Sequence, residues 1–296
     1  MRKATLIPCL IAALVASACG DKRPKTGDAN AAEVATTSSE AASASTPTSP
    51  VNPGPASFEN ASTAFTEKRY AEAVRLLTTY TTDKPGDVWG QYMLGLSAWR
   101  TGDRDGAADA FKRALAIDSN HVKSHLNLSR VLVEQGKAQE ALTHVAATLA
   151  IDSTSGEGYR ILGRVKDELG DTTGAVEAFK RAIVLDERDV WSMNNLASVS
   201  ISQHKYADAL GPLARAIEID STVAPFHNNL GFALEKAGYI TQSVDEYRAA
   251  LAIDPTYQKA SRNLTRVEGV PKDSTAAPAE LGKLSRSFLE QVQSWR

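Results

Sequence analysis

The chain has 296 residues, with 33 Lys and Arg against 35 Asp and Glu, and two cysteines. This near-neutral balance excludes the broad basic surface that nucleic-acid binding needs, and two cysteines are too few for a disulfide framework. Length alone allows two domains, but the order of residues assigns most of it to one body.

Residues 1–18 carry a basic start at Arg2 and Lys3, an apolar run from Ala4 to Val15, and the small residues Ala16, Ser17 and Ala18. This order predicts a secretory leader, too short to span a membrane and cut after Ala18. Cys19 follows directly and resembles the lipid-attachment cysteine of bacterial lipoproteins, although Ala16 stands where that box prefers Leu. Cys9 leaves with the leader, so Cys19 has no partner within the chain. The lipoprotein resemblance, with Gly20 where an inner-membrane retention signal places Asp, implies a lipid anchor in the outer membrane facing the periplasm. Ordinary cleavage at the same bond implies a secreted or soluble periplasmic protein. Residues 19–53 are rich in Ala, Ser, Thr and Pro and almost free of large apolar side chains, which predicts a disordered tether. A coil of this length spans roughly 30 to 35 Å.

From there one pattern repeats. Leu94, Leu128, Leu162, Leu196, Leu230 and Leu264 stand at steps of 34 residues with no insertion. Each leucine is followed by a small neighbour in the series Gly95, Ser129, Gly163, Ala197 and Gly231. Further on come Ala107, Ala141, Ala175, Ala209 and Ser243, then Phe111, Val145, Phe179, Leu213 and Tyr247, then Ala114, Thr148, Ala182, Ala216 and Ala250. Small residues let two helices approach, and a large one fills the space between them, so each unit is an antiparallel helix pair. Gly102, Gly136, Gly170 and Gly238 mark a turn needing positive φ, with Lys68 and His204 substituting in two units. Ile117, Ile151, Leu185, Ile219 and Ile253 end the second helices and are expected to close the core, and an Asp after each begins the next turn.

This order of Leu, Gly, Ala, aromatic, Ala and Pro resembles the tetratricopeptide repeat family, whose unit is a 34-residue helix-turn-helix. The resemblance covers residues 54–270, as six units from Gly54, Val88, Val122, Gly156, Val190 and Ala224 and a lone first helix from Gln258. It implies an all-α solenoid, a right-handed superhelix of helix pairs. Two departures stand out. The family's early tryptophan is replaced by Ser57, Gln91, His125, Tyr159, Met193 and His227, and the first unit has Asn60 and Tyr80 at conserved positions. In residues 271–296, Leu281, Leu284, Phe288, Leu289, Val292 and Trp295 recur at helical spacing. That amphipathic helix is expected to cover the apolar side of the last repeat helix, or else to dock a partner.

A catalytic set is not found: the sequence has no phosphate-cradling glycine loop, no HExxH and no Cys-x-x-Cys. His121 and His125 are four apart, but one falls in a turn, so no metal or cofactor is expected. The resemblance implies recognition instead, through first helices lining a concave groove. On that register Asn127, Asn195, Asn229 and Asn263 precede their leucines, with Asn194 and Asn228 beside two of them. Such a row either grips a peptide backbone or bonds to the neighbouring repeat and stabilises stacking. The early groove is aromatic and apolar, with Phe58, Phe65, Trp89, Tyr92, Met93, Leu96 and Trp99. The later groove is basic, with Lys123, Arg130, Arg160, Arg164, Lys259, Arg262 and Arg266. These features predict an adaptor for an envelope protein or peptide, without a small-molecule substrate. The resemblance extends to pilotin lipoproteins of pilus secretins and to repeat lipoproteins that dock cell-wall enzymes. An enzyme with an unrecognised site and a self-assembling array are the rival classes.

Overall fold

A computed structural model describes residues 56–270 and 277–296; the leader, Cys19, the linker and residues 271–276 lie outside the described residues. Among the described residues all regular structure is helical. Six antiparallel pairs follow one another: α1 (Phe58–Thr66) with α2 (Tyr70–Asp83), α3 (Val88–Arg100) with α4 (Arg104–Ile117), α5 (Val122–Glu134) with α6 (Ala138–Ile151), α7 (Gly156–Glu168) with α8 (Thr172–Leu185), α9 (Val190–Ser202) with α10 (Tyr206–Ile219), and α11 (Ala224–Lys236) with α12 (Ile240–Ile253). The lone α13 (Gln258–Glu268) and the tail helix α14 (Leu281–Ser294) complete the fold. The first helix of the first unit starts at Phe58, with the Ser57 hydroxyl accepting from the Asn60 amide at 3.1 Å, and not at Gly54 as the register suggested.

Local chemistry sets the boundaries. Asp87, Asp103, Asp171 and Asp189 and the hydroxyl of Ser155 cap helix N-termini by accepting backbone N–H bonds. At the turn inside each pair Gly102, Gly136, Gly170 and Gly238 adopt φ of 85, 72, 78 and 93°. Lys68 and His204 are forced to 61 and 59° at the same register, a conformation L side chains resist. Between units, Asp118, Asp152, Asp186, Asp220 and Asp254 each accept the backbone N–H two residues on, at 2.9 to 3.0 Å. The acid after each second helix therefore builds the turn that starts the next unit.

Within a pair the small and large columns interlock. A Cβ added to Gly95 would lie 2.6 Å from the Phe111 ring, one on Gly163 2.5 Å from Phe179, and one on Gly231 2.9 Å from Tyr247. In the two units where Ser129 and Ala197 replace glycine, the facing residues are the aliphatic Val145 and Leu213, which leave room for a side chain. Each second helix then packs on the following first helix, and first helices also touch one another, which places them on the inner side of the curved array.

Two expectations are corrected. Ile117, Ile151 and Ile253 do not close the core: they are 40, 44 and 39% exposed, and burial ends one turn earlier at Ala114, Thr148 and Ala250, each 0% exposed. The tail helix does not cover the last repeat helix. It packs on α10 and reaches α8, burying Phe288 and Val292 in one cluster with Ala175, Phe179, Ile183 and Ala216. The array needs no such cover, because α13 buries Ala260 and Val267 inward and turns Ser261, Arg262, Thr265 and Arg266 to solvent.

The interlock predicts a coupled pair of substitutions. Gly163→Ala should lower the denaturation midpoint, since overpacking of about 1 to 3 kcal/mol exceeds the roughly 1 kcal/mol of helix propensity gained. Adding Phe179→Leu reproduces the combination natural to the fifth unit and should restore most of the loss. Denaturant unfolding of all four proteins reads the coupling, and strictly additive effects would contradict it.

Candidate functional site

The inner face carries the asparagine row that the register anticipated, and it is bonded to itself. Asn263 Nδ2 donates to Asn228 Oδ1 at 3.0 Å, Asn228 Nδ2 to Asn229 Oδ1 at 3.2 Å, and Asn229 Nδ2 to Asn194 Oδ1 at 2.8 Å. The bonds between units join positions 35 residues apart, from the residue before one leucine to the residue two before the preceding one. Asn127 follows the same geometry, donating to the Tyr92 hydroxyl at 3.3 Å and to the Lys123 carbonyl at 2.9 Å. Asn194 is 0% and Asn195 3% exposed, and the Nδ2 of each has no hydrogen-bond partner among the described residues. The contacts run to side chains of the neighbouring repeat and not to its backbone.

The arginines also bridge repeats. Arg130 pairs with Glu157 of the next unit and approaches Asn127 Oδ1 at 3.5 Å, and Arg160 donates to Asp189 at 3.2 Å. Arg266 pairs with Glu235 and donates to Asn263 Oδ1 at 2.9 Å. Glu235 also accepts from Lys236 and from the Tyr247 hydroxyl at 2.9 Å. Burial would raise that carboxyl, but the bonds from Arg266, Lys236 and Tyr247 hold it below the usual carboxylate range. Arg164 is buried, whereas Arg262 is exposed and donates to the Gln258 carbonyl at 3.3 Å. The basic half of the face is thus interleaved with Glu157, Asp189 and Glu235. The signal for them was present as acids roughly one unit away, but it lies between columns of the register and not within one.

The aromatic half remains more open. Trp89 is 47% exposed, edge-on to Tyr92 and His121 with ring centroids 5.7 and 4.9 Å apart, and the Lys123 ammonium lies 5.3 Å from its ring. Trp99 is half-buried and donates its indole N–H to the Glu134 carboxylate at 3.2 Å. Near the other end, Phe232 has Lys236 at 5.3 Å and Arg266 at 6.0 Å over its ring.

The histidines assemble differently from their spacing. His121 Nδ1 meets the Ser124 hydroxyl at 2.7 Å, while His125 pairs with His144 on the second helix, Nδ1 to Nδ1 at 3.1 Å. His227 occupies the same register as His125 three units on, and there the partner is Glu246 at 2.7 Å. No group of three metal-ligating side chains occurs among the described residues. Burial lowers the His227 pKa, but its bonds to Glu246 and the Ser221 carbonyl outweigh that and leave it raised. Burial, followed by the charge of His125, lowers that of His144.

Two outcomes follow. Asn229→Ala breaks the row in the middle and leaves buried partners unpaired, at about 1 to 3 kcal/mol each; the melting temperature should drop, and an unchanged midpoint would show that the row does not hold the stack. The histidines act in opposite senses. Stability from His227 is present below about pH 6.5 and lost as pH rises through its raised pKa; stability from His144 is present above about pH 6.5 and lost as pH falls. His144→Gln should therefore lose less stability than the parent between about pH 7 and pH 5, and parallel pH profiles would refute this.

Comparison with known proteins agrees with the geometry. Tetratricopeptide repeat models match residues 92–156, 162–224 and 224–257, together more than half of the chain. Human tetratricopeptide repeat protein 7B is 33% identical over 95 residues, covering 32% of this chain and 11% of that protein. ETO1-like protein 1 of Arabidopsis thaliana is 25% identical over 163 residues, covering 55% and 18%. The matches thus span less than a fifth of these relatives. Among solved structures, the type IV pilus biogenesis factor PilW aligns with a TM-score of 0.63 at 15% identity, covering 70% of this chain and 96% of that one. The APC/C hetero-tetramer Cut9-Hcn1 aligns at 0.62 and 18%, covering 69% and 40%. Likenesses at such identities establish the fold alone, and with the matching models they agree on one conclusion: the chain belongs to the tetratricopeptide repeat family.

Proposed function

We propose that this chain is a non-enzymatic scaffold that holds a protein or peptide of the bacterial cell envelope against its inner face. The observation that carries the reading is the exposed Trp89, fixed edge-on between Tyr92 and His121 with Lys123 over its ring. A rigid, half-exposed tryptophan beside a cation is the kind of anchor that dominates binding energy. An extended segment with an apolar residue and a nearby carboxylate complements it, and Phe232 with Lys236 and Arg266 offers a second site of the same character. Family membership supports protein binding as the general role. A narrower form of the proposal, an assembly factor for a pilus or secretin, is suggested by the likeness in fold to the pilus biogenesis factor. Cys19, if acylated, would anchor the scaffold to the outer membrane, since several acyl chains at about 0.8 kcal/mol per buried methylene make attachment stable.

The test of binding is a pull-down from envelope extract with the parent and with Trp89→Ala combined with Lys123→Glu. Loss of an anchor worth about 2 kcal/mol or more should reduce recovery of the partner at least tenfold with an unchanged melting temperature. Full recovery would place binding elsewhere. For the anchor, Cys19→Ser should move the protein from the membrane to the soluble periplasmic fraction, and equal membrane retention would contradict acylation.

A further inference from the structure

The fifth second helix differs from its counterparts on the outer side. At the register of Gly211 the other five units carry Arg75, Asp109, Thr143, Glu177 and Asp245, and at that of Ala214 they carry Thr78, Lys112, Ala146, Lys180 and Arg248. α10 instead offers Ala207, Gly211 and Ala214, a strip without charge or bulk. The tail helix lies in it. A Cβ added at Gly211 would stand 3.2 Å from Phe288 Cβ and 3.3 Å from the Leu284 carbonyl oxygen, a tight contact that leaves no room for a longer side chain under α14.

The tail is also tied to three successive units. Beyond α8, Glu187 accepts from Gln293 at 2.9 Å and pairs with Arg296. On α10, Glu218 accepts from the Ser285 hydroxyl, and Ser285 is 2% exposed. On α12, Gln242 accepts the Ala279 backbone N–H at 2.6 Å and donates to the Ala279 carbonyl at 3.0 Å. A helix that merely hid apolar surface would need one seat. Ties at both ends across the fourth, fifth and sixth units fix how far apart those units stand on the outside.

The inner side of the same span pulls the other way. The bonds from Asn263 through Asn228 and Asn229 to Asn194 draw first helices together, and the row stops at the junction of the fourth and fifth units. There Asn195 Nδ2 finds no partner, because Arg160 stands where Tyr92, Asn194 and Asn228 supply an acceptor, and a guanidinium has only donors. Arg160 to Asp189 is a polar link across this junction on the inner side, and α14 crosses the same junction from outside.

We propose that α14 is a clasp that sets the curvature of the fourth to sixth units, and with it the width of the inner face, and that its release lets the inner row draw the array tighter. The clasp rests on the scaffold reading only in giving that width a use. By linkage, an occupant that favours one curvature changes the docking of α14 by the same factor.

The test is Gly211→Glu, which installs the residue that the fourth unit carries as Glu177 at this register. Helix α10 keeps its propensity to form, while the seat for Leu284 and Phe288 is lost. In the full chain, with Cys9 and Cys19 changed to Ser, spin labels at Thr173→Cys and Thr241→Cys occupy equivalent exposed positions on α8 and α12. Gly211→Glu should abolish hydrogen-exchange protection across residues 281–294, leave α8 to α12 protected, and lengthen the distance between the labels. Deleting residues 278–296 should give the same lengthening and serves if the point variant fails to fold. An unchanged label distance after α14 has lost protection would overturn the clasp and make the tail a passive cover. Retained protection of α14 in Gly211→Glu would overturn its seat. No partner enters the measurement, so its outcome is independent of whether the inner face binds anything.

Discussion

Every unit of this array depends on one steric fit, the contact between the small residue after the register leucine and the large residue on the facing helix. Where that large residue is a ring, as in Phe111, Phe179 and Tyr247, the small one is glycine; where it is Val145 or Leu213, serine or alanine suffices. Burial at these sites is complete or nearly so, and close-packed interiors tolerate little change in volume. The fit fixes the distance between the helices of a pair, and the unbroken 34-residue step fixes the repeat length. With that length fixed, residues 34 or 35 apart fall beside one another, and the inner and outer faces become columns of equivalent positions.

The columns explain why the inner face is both glue and surface. Asparagines and arginines on it bond across units, to Asn194, Asn228 and Tyr92 in one set and to Glu157, Asp189 and Glu235 in the other. A peptide reaching the asparagine row would compete with bonds that already hold the stack. The aromatic end has no such conflict, since Trp89 offers an exposed ring that edge contacts hold in place. Inter-unit bonds and aromatic rings thus share the inner face, with Trp89 near one end and Phe232 beside Arg266 near the other. The outer clasp acts on the half where stacking bonds dominate.

Much of this could be read from the residues. Period, helix pairing, turn glycines and the tail helix are local consequences of patterning, and even the positive φ of Lys68 and His204 follows from their place in the glycine column. What escaped the reading was relational. Reading Arg130, Arg160 and Arg266 as part of a basic groove missed acids that belong to neighbouring units. Ile117, Ile151 and Ile253 look like core by type, but the buried position is one turn earlier, at Ala114, Thr148 and Ala250. The seat of the tail was visible as Gly211 among Asp109, Glu177 and Asp245 once the outer column is aligned, yet nothing in the tail alone names its receptor. A glycine that breaks a charged column is the signal to look for.

The most direct test of the inner face as the binding surface is site-specific photo-crosslinking in living cells. A photoreactive phenylalanine analogue placed at Trp89 or Phe232, on the inner side, is compared with one at Asp109 or Asp245, on the outer side. The account predicts a discrete crosslinked species from the inner positions that is absent from the outer ones. Crosslinks confined to Asp109 or Asp245 would contradict it.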